Sequence, residues 1–271
     1  MYQSKQRKPL RIAVVTAVNS SRDYRACVPL FIEQWHAIGG SHEHDWFPCV
    51  VEVSNDEFVL RHEGKTLIWK NPNQEMASSW ISQVIRLLVP AYLDCDLVMT
   101  SDVDMLPLNL RVLDHAISGL VDGGADFAVC RDVLKKNQFP MCYNIASPTT
   151  WKSIFPDPLE QELSSAWNQV VQNFDGRRGK QGWYFDQERI YDRLINTSRN
   201  RLEVLRLKDS ETGHHRLEPT RRNLYLSPIV LVGILGGKYS DYHLHRPIDR
   251  HRFFIWLVIR LSRFRFWFKK F

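Results

Sequence analysis

The chain reads as an α/β protein in which a mostly parallel sheet carries helices on its faces. Short apolar, β-branched runs alternate with stretches of helical spacing over the first 130 residues, the pattern expected of strands joined by crossover helices. With 271 residues, 44% hydrophobic and 24% charged, the chain has the composition of an ordinary folded domain. No repeat, low-complexity tract or linker interrupts it, so the organisation predicted is one domain, residues 1–247, and a basic aromatic tail, 248–271.

Arg11–Asn19 (RIAVVTAVN) is an apolar run ending in small and polar residues, and reads as a buried strand. Ser20, Ser21 and Asp23 can cap a helix over Tyr24–Ile38, closed by Gly39-Gly40. Cys49–Val53 and Thr66–Trp69 read as two short strands. Ser78–Leu93 reads as a helix whose apolar face is Trp80, Ile81, Val84, Ile85, Leu88 and Leu93, with Pro90 near the end where it interrupts least. Leu97–Thr100 is a buried strand, Leu110–Leu120 a helix, Asp126–Cys130 a strand and Asp186–Ile195 a helix. Asn173–Gly182 and Asp209–Asn223, rich in glycine and charge, read as mobile loops, and Tyr225–Leu235 as an apolar, strand-like run.

Several classes are disfavoured. Five cysteines, an odd number with no Cys-x-x-Cys pair, suit reduced core thiols in a cytoplasmic protein rather than a disulfide framework. The apolar run Ile12–Val18 follows basic residues but is short and lacks a small-residue cleavage site, so it reads as a first strand and not a signal peptide. No stretch approaches the ~20 apolar residues that crossing a bilayer requires.

The net charge of +6 is unevenly spread: residues 246–271 carry eight Lys or Arg and one Asp, or +7, so the other 245 carry about −1. A nearly neutral body offers nucleic acid no phosphate-binding face. At ~100° per residue, Arg252, Arg260, Arg263 and Lys270 of the tail cluster on one side, with Phe253, Leu257, Leu261, Phe264 and Phe268 adjoining. Such a helix suits the plane of an anionic membrane, giving a peripherally attached protein; the plainer reading is a terminal helix packed on the body.

The sharpest chemical feature is Leu97-Val-Met-Thr-Ser-Asp102-Val-Asp104. Asp-x-Asp is common by chance, and Asp94-Cys95-Asp96 has the same spacing. Position separates them, because ligands of parallel sheets bind at the carboxyl ends of strands, where Asp102 and Asp104 stand. In an extended segment residues i and i+2 point the same way, so both can face one ion. Paired carboxylates repel unless a cation joins them, and hard oxygen donors select Mn²⁺ or Mg²⁺, which can neutralise a leaving diphosphate. The plain alternative is a solvated turn.

Trp183-Tyr184-Phe185 forms an aromatic platform before Asp186 and Gln187. Asp186 suits a general base, or equally a helix N-cap. His243 and His245 alternate, so on a strand both face one side, one for the metal and one for a phosphate. Arg86, one helix before the carboxylates, can steady a phosphate or an acidic neighbour, or be a plain surface arginine.

Taken in order, Arg86–Pro90, Asp96–Asp104, Tyr184-Phe185-Asp186-Gln187-Glu188 and the late histidines resemble the GT-A fold glycosyltransferases, especially family 8, which includes bacterial lipopolysaccharide galactosyltransferases and glycogenin. The resemblance implies a Rossmann-like GT-A fold that transfers a sugar from a nucleotide-sugar donor, UDP in preference to GDP, to a glycan or lipid-linked acceptor. It also implies metal ligation by Asp102, Asp104 and His243 or His245, nucleotide binding at Thr16, Ala17 and Asn19, and phosphate contact at Arg86. Asn144 falls where related enzymes bind donor hydroxyls, and Asp186-Gln187 beside the reacting sugar. The sequence departs at Thr100-Ser101, where the family has Tyr-Leu before its carboxylates, and at Tyr242–Pro247, where it has a glycine and Lys-Pro-Trp. A nucleotidyltransferase acting on sugar phosphates would carry a glycine-rich loop after its first strand, and Ala17–Ser21 has no glycine. A non-enzymatic, peripheral membrane-binding protein would need only the tail.

Overall fold

Alternate residues of the first strand set the layer plan. Ile12 and Val14 of β1 (Arg11–Val18) enter one apolar cluster, while Ala13 and Val15 enter another on the opposite face. A strand covered on both sides belongs to the middle of an α/β sandwich. The computed structural model describes residues 8–62, 65–132, 137–170, 182–197, 201–218 and 227–268.

The remaining strands are β2 (Asp45–Val53), β3 (Glu57–His62), β4 (Lys65–Lys70), β5 (Leu97–Thr100), β6 (Met105–Pro107), β7 (Phe127–Val129), β8 (Asn144–Ala146), β9 (Val204–Arg206), β10 (Arg216–Leu217) and β11 (Asp241–His243). The main sheet has the order β4-β3-β2-β1-β5-β8-β7-β9. Strands β2, β1 and β5 are parallel, as are β7 and β9; β3 and β8 run against their neighbours, so the other six of the eight point one way. The sheet is therefore mostly parallel, with helices on both faces. A second sheet, β10-β11-β6, stands beside the end of β5.

The helices Val28–Gly39, Arg111–Val121, Pro228–Gly236 and Ile248–Phe268 supply the first cluster, and Ser78–Leu88, Pro148–Ile154, Leu159–Val170 and Phe185–Tyr191 the second. Within the second layer Arg189 reaches buried Glu162 at 2.7 Å and lies over the rings of Phe155 and Phe185.

Several boundaries differ from the sequence reading. The first helix is split into Arg22–Arg25 and Val28–Gly39, because Pro29 falls in the first turn of the second, where its missing N–H costs nothing. The α-helix from Ser78 stops at Leu88 and tightens into a 3₁₀ turn, Val89–Tyr92, around Pro90. The two short strands expected are present as β2 and β4, but an unforeseen strand, β3, lies between them and pairs antiparallel to both. The helix from Phe185 changes to a π-helical turn over Asp192–Thr197.

Two differences matter for function. Pro228–Gly236, expected as part of a strand, is a helix: the Ser227 hydroxyl caps it by accepting from the Val230 amide, Pro228 opens it, and Gly237 closes it at φ 73°. Caps at both ends override the β-branched composition; Tyr225 and Leu226 lie outside the described residues. The supposed loop from Asp209 contains a helical turn, Asp209–Thr212, and β10, and it supplies two residues of the site; 219–223 lie outside the described residues, as do 173–181 of the other.

The tail is no detached appendage. Phe254, Ile255, Val258 and Ile259 are buried in the first cluster, and Arg263 donates to Gln34 and Glu33. Lys270 and the side chain of Phe268 lie outside the described residues. No described helix is long and apolar enough to cross a membrane.

Candidate active site

At the carboxyl ends of β1, β5 and β7 lies a cavity of about 660 Å³. Its walls come from Ala17–Asn19 after β1, Tyr24, the Ser79 to Arg86 face of the Ser78–Leu88 helix, Asp102–Met105 after β5, Arg131 after β7, Pro140–Cys142, the stretch from Trp183 to Gln187, and Arg216 to Arg246 around the small sheet. Four arginines (86, 131, 216, 246) face four acids (Asp102, Asp104, Asp186, Glu218) across it.

Asp102 and Asp104 reach this cavity through a turn and not an extended segment, since the Met105 amide donates to the Asp102 carbonyl at 3.1 Å. The other pair precedes the strand as expected, with Asp96 Oδ2 accepting from the Arg11 amide at 2.8 Å. Asp102 accepts a short hydrogen bond from Arg86 Nη1 and a second from the Cys142 thiol at 2.8 Å. Burial alone raises its carboxyl pKa, but the Arg86 charge and these bonds outweigh burial and hold it below the usual range. The thiol moves the opposite way, raised by burial and by the Asp102 charge.

Arg86 links the carboxylates. Its Nη2 donates to Asp186 Oδ2 at 2.8 Å, so one buried guanidinium bridges Asp102 and Asp186 across 84 residues of sequence. Burial opposes its charge, and the two carboxylates more than restore it. Arg86 thus meets acidic neighbours, the second of its expected roles, rather than open solvent. Asp186 is 1% exposed and its pKa is raised, first by burial, with Arg86 offsetting part of the shift. It is not the N-cap, which is Tyr184; it is the second helical residue, and its Oδ1 accepts from the Gln187 amide at 2.9 Å. The Gln187 and Gln83 side-chain oxygens are buried at the cavity with no hydrogen-bond partner among the described residues.

His243 and His245 part company. The strand β11 ends at His243, so alternation does not carry on to His245. His243 lines the cavity, its Nε2 3.5 Å from Asp104 Oδ2 and its Nδ1 3.0 Å from Glu218. Burial lowers its pKa, but Asp104 and Glu218 more than reverse this. His245 points away: its Nδ1 meets the Tyr242 hydroxyl at 2.6 Å and its ring packs edge-on to Phe254. Burial brings its pKa down to about 4, helped by His251 and His243.

Of the nucleotide residues expected, Ala17 and Asn19 line the cavity and Thr16 is buried within β1. Asn144 is also buried, its amide donating to the Pro140 carbonyl at 2.8 Å, and does not reach the cavity.

The donor set suits a hard divalent ion: two carboxylates and an imidazole at one cavity. Adjacent ligands of an octahedral ion with bonds of ~2.1 Å stand about 3.0 Å apart, close to the 3.5 Å between Asp104 Oδ2 and His243 Nε2. As placed, no group of three or more His, Cys, Asp or Glu among the described residues is gathered tightly enough to hold a metal, so Asp102 would have to turn from Arg86.

Arg131, Arg216, Glu218 and Arg246 were not picked out from the sequence. Arg131 could have been, since it stands two residues past β7 as Asp102 stands two past β5. Arg246 lies over Tyr24 with its guanidinium 4.8 Å from the ring centre, and its Nε is 3.5 Å from Asp104.

Fold and cavity together define an α/β protein with a cleft of paired acids and arginines at its strand ends. No protein-family model and no curated protein matches the sequence. Two solved structures of the glycosyltransferase GlyE from Streptococcus pneumoniae TIGR4 align with it over 97% of this chain. One has a TM-score of 0.49 at 14% identity and the other, the apo form, 0.45 at 13%. This chain spans 64% of the length of each.

Proposed function

We propose that this chain is a metal-dependent glycosyltransferase that moves a sugar from a nucleotide-sugar donor to a glycan or lipid-linked acceptor. The observation that carries the reading is the convergence of Asp102, Asp104, Asp186, Gln187 and His243 on one cavity at the carboxyl ends of parallel strands. The sequence resemblance to GT-A enzymes puts the same residues in the same order.

In this reading Asp102, Asp104 and His243 hold Mn²⁺ or Mg²⁺, which supplies charge neutralisation for the departing diphosphate. Arg246, anchored near Asp104 and over Tyr24, adds a fixed cation on the same wall. Ala17 and Asn19 border the nucleotide. Transfer forms a bond from an acceptor oxygen to the anomeric carbon and breaks the anomeric carbon–diphosphate bond, whose electron pair leaves with the nucleotide; the acceptor hydroxyl's proton passes to the departing diphosphate oxygen. Both Asp186 oxygens are engaged, by Arg86 and the Gln187 amide. Its part is therefore to fix the Phe185–Tyr191 helix start and hold negative charge beside the reacting carbon. The unpartnered amide oxygens of Gln187 and Gln83 are free to accept from sugar hydroxyls.

The same reading seats the protein on an anionic membrane. Phe253 (70% exposed), Trp256 (51%) and Phe264 (52%) follow one another at helical spacing, and Arg260 lies over the Trp256 ring. Ile229 and Val232 of the neighbouring helix are as exposed. Aromatic rings interleaved with arginine suit the lipid headgroup region.

The test is nucleotide release from a panel of UDP- and GDP-sugars with Mn²⁺. One donor is expected to be hydrolysed, with Asp104→Asn lowering the rate on the order of 100-fold, as loss of a preorganised electrostatic contact does. Hydrolysis of no donor, or a rate indifferent to Asp104→Asn and to chelation, would refute the reading.

A further inference from the structure

Arg131 is an arginine held in place beneath a cavity. Its side chain is only 12% exposed, yet it lines the cleft. Asp209 grips it in a fork, with Nε to Oδ1 at 3.0 Å and Nη2 to Oδ2 at 2.7 Å. That leaves Nη1 with no hydrogen-bond partner among the described residues. A second arginine has the same arrangement: Arg216 is gripped through Nε and Nη2 by buried Asp241, which also accepts from the Tyr143 hydroxyl at 2.9 Å. His214 stands between the two acids, 3.8 Å from Asp209 and 3.4 Å from Asp241. Neither acid lines the cavity, so the supporting charges lie behind and the guanidinium ends lie in front.

Position separates Arg131 from the donor's phosphates. β7 runs in the same direction as β1 and β5, but β5 and β8 lie between β1 and β7 in the sheet. At ~4.8 Å per strand, β7, which carries Arg131 just past its end, lies about 14 Å from β1 and about 10 Å from β5, the strand of Asp102. A diphosphate held at Asp102 and Asp104 is centred at the end of β5, which leaves the β7 side of the cleft for the sugar and its acceptor.

We propose that Arg131, braced by Asp209 and backed by the His214–Asp241–Arg216 network, recognises a negatively charged group, phosphate or carboxylate, on the acceptor. A guanidinium with its fork already oriented loses little freedom on binding, and bidentate recognition of planar or tetrahedral anions is the chemistry it does best. The inference rests on the glycosyltransferase reading for the word acceptor, and not for the anion site itself.

The experiment uses the full chain and two anionic probes, glucose 6-phosphate and methyl β-glucuronide, against neutral methyl β-glucoside. Affinities are measured by calorimetry with and without UDP and Mn²⁺, in wild type, Arg131→Gln, Arg131→Lys and Asp209→Asn. At least one anionic probe is expected to bind more tightly than the neutral sugar. Arg131→Gln should weaken it at least tenfold, Arg131→Lys and Asp209→Asn by less, while UDP affinity stays within twofold. Preference for the first probe identifies a phosphate, and for the second a carboxylate. Equal binding of charged and neutral sugars overturns the proposal. So does a parallel loss of UDP affinity in Arg131→Gln, which would assign Arg131 to the donor. Failure of UDP to bind at all would count against the glycosyltransferase reading, and the probe series without UDP would still judge the anion site. Asp209 is partly exposed, so Arg131→Gln strands no fully buried charge; a variant that melts early is replaced in the comparison by Arg131→Lys.

Discussion

Replacing Arg86 with methionine puts the electrostatic account of the site at risk. Among the described residues the Arg86 guanidinium is the one side-chain counter-charge in contact with Asp186, whose own side chain is 2% exposed. Methionine keeps much of the volume and removes the charge. Breaking a buried ion pair from one side costs about 3–5 kcal/mol, because the remaining charge is left without compensation. Asp102, a third exposed, relaxes toward water and adds little. For a domain of this size each kcal/mol corresponds to roughly 2–4 °C, so thermal unfolding should begin on the order of 10 °C lower. The loss has a sign in pH. Without Arg86, burial raises the folded pKa of Asp186 further above its unfolded value of ~3.9. A raised folded pKa favours the protonated fold, so the penalty is absent below the unfolded pKa and grows as pH climbs toward the folded one. Arg86→Met should therefore lie closer to wild type at pH 5 than at pH 8 in calorimetric scans. A variant that melts within 2 °C of wild type at both pH values would show that the guanidinium is not a buried counter-ion.

Truncation, vesicle binding and pH each probe another part of the molecule. Ending the chain at Pro247 removes five buried apolar side chains (Ile248, Phe254, Ile255, Val258, Ile259); at about 1.5–3 kcal/mol each that approaches a domain's whole stability, and circular dichroism should report an unfolded product. By contrast, Phe253→Ser with Trp256→Ser should leave melting nearly unchanged and abolish cosedimentation with phosphatidylglycerol vesicles; retained binding would remove the membrane face. His245 has its folded pKa lowered to about 4 from 6.5, so the stability that depends on its neutral form is complete above 6.5 and fades as pH falls through that window. Melting temperature should decline less between pH 7.5 and 5 in His245→Gln than in wild type, and equal slopes would contradict the assignment.

What the sequence disclosed was local. The strand Leu97–Thr100 and the acids after it could be read because burial and strand-end position are both written in consecutive residues. Distant partnerships could not. Nothing in the neighbourhood of Arg86 says that Asp186 closes over it, since that contact depends on how one helix meets another across the sheet. Asp102 and Asp104 were expected to share a face in an extended segment; both line the cavity, but through a turn of the backbone that their spacing does not announce. His243 and His245 were indistinguishable until the end of β11 was known. Arg216 and Glu218 escaped notice because a polar, glycine-containing stretch looks like a loop whether or not two of its residues complete a sheet. The Pro228–Gly236 helix was misread from its β-branched residues, although Ser227, Pro228 and Gly237 were start and stop signals in plain view.

The central claim is that Asp102, Asp104 and His243 hold a divalent ion that in turn holds a diphosphate, and calorimetric titration of UDP into the full chain tests it most directly. The account predicts binding with Mn²⁺ present, little or none with chelator, and loss of the Mn²⁺-dependent part in Asp104→Asn and in His243→Ala but not in His245→Gln. UDP binding of equal strength with chelator, or undiminished in Asp104→Asn, would contradict it.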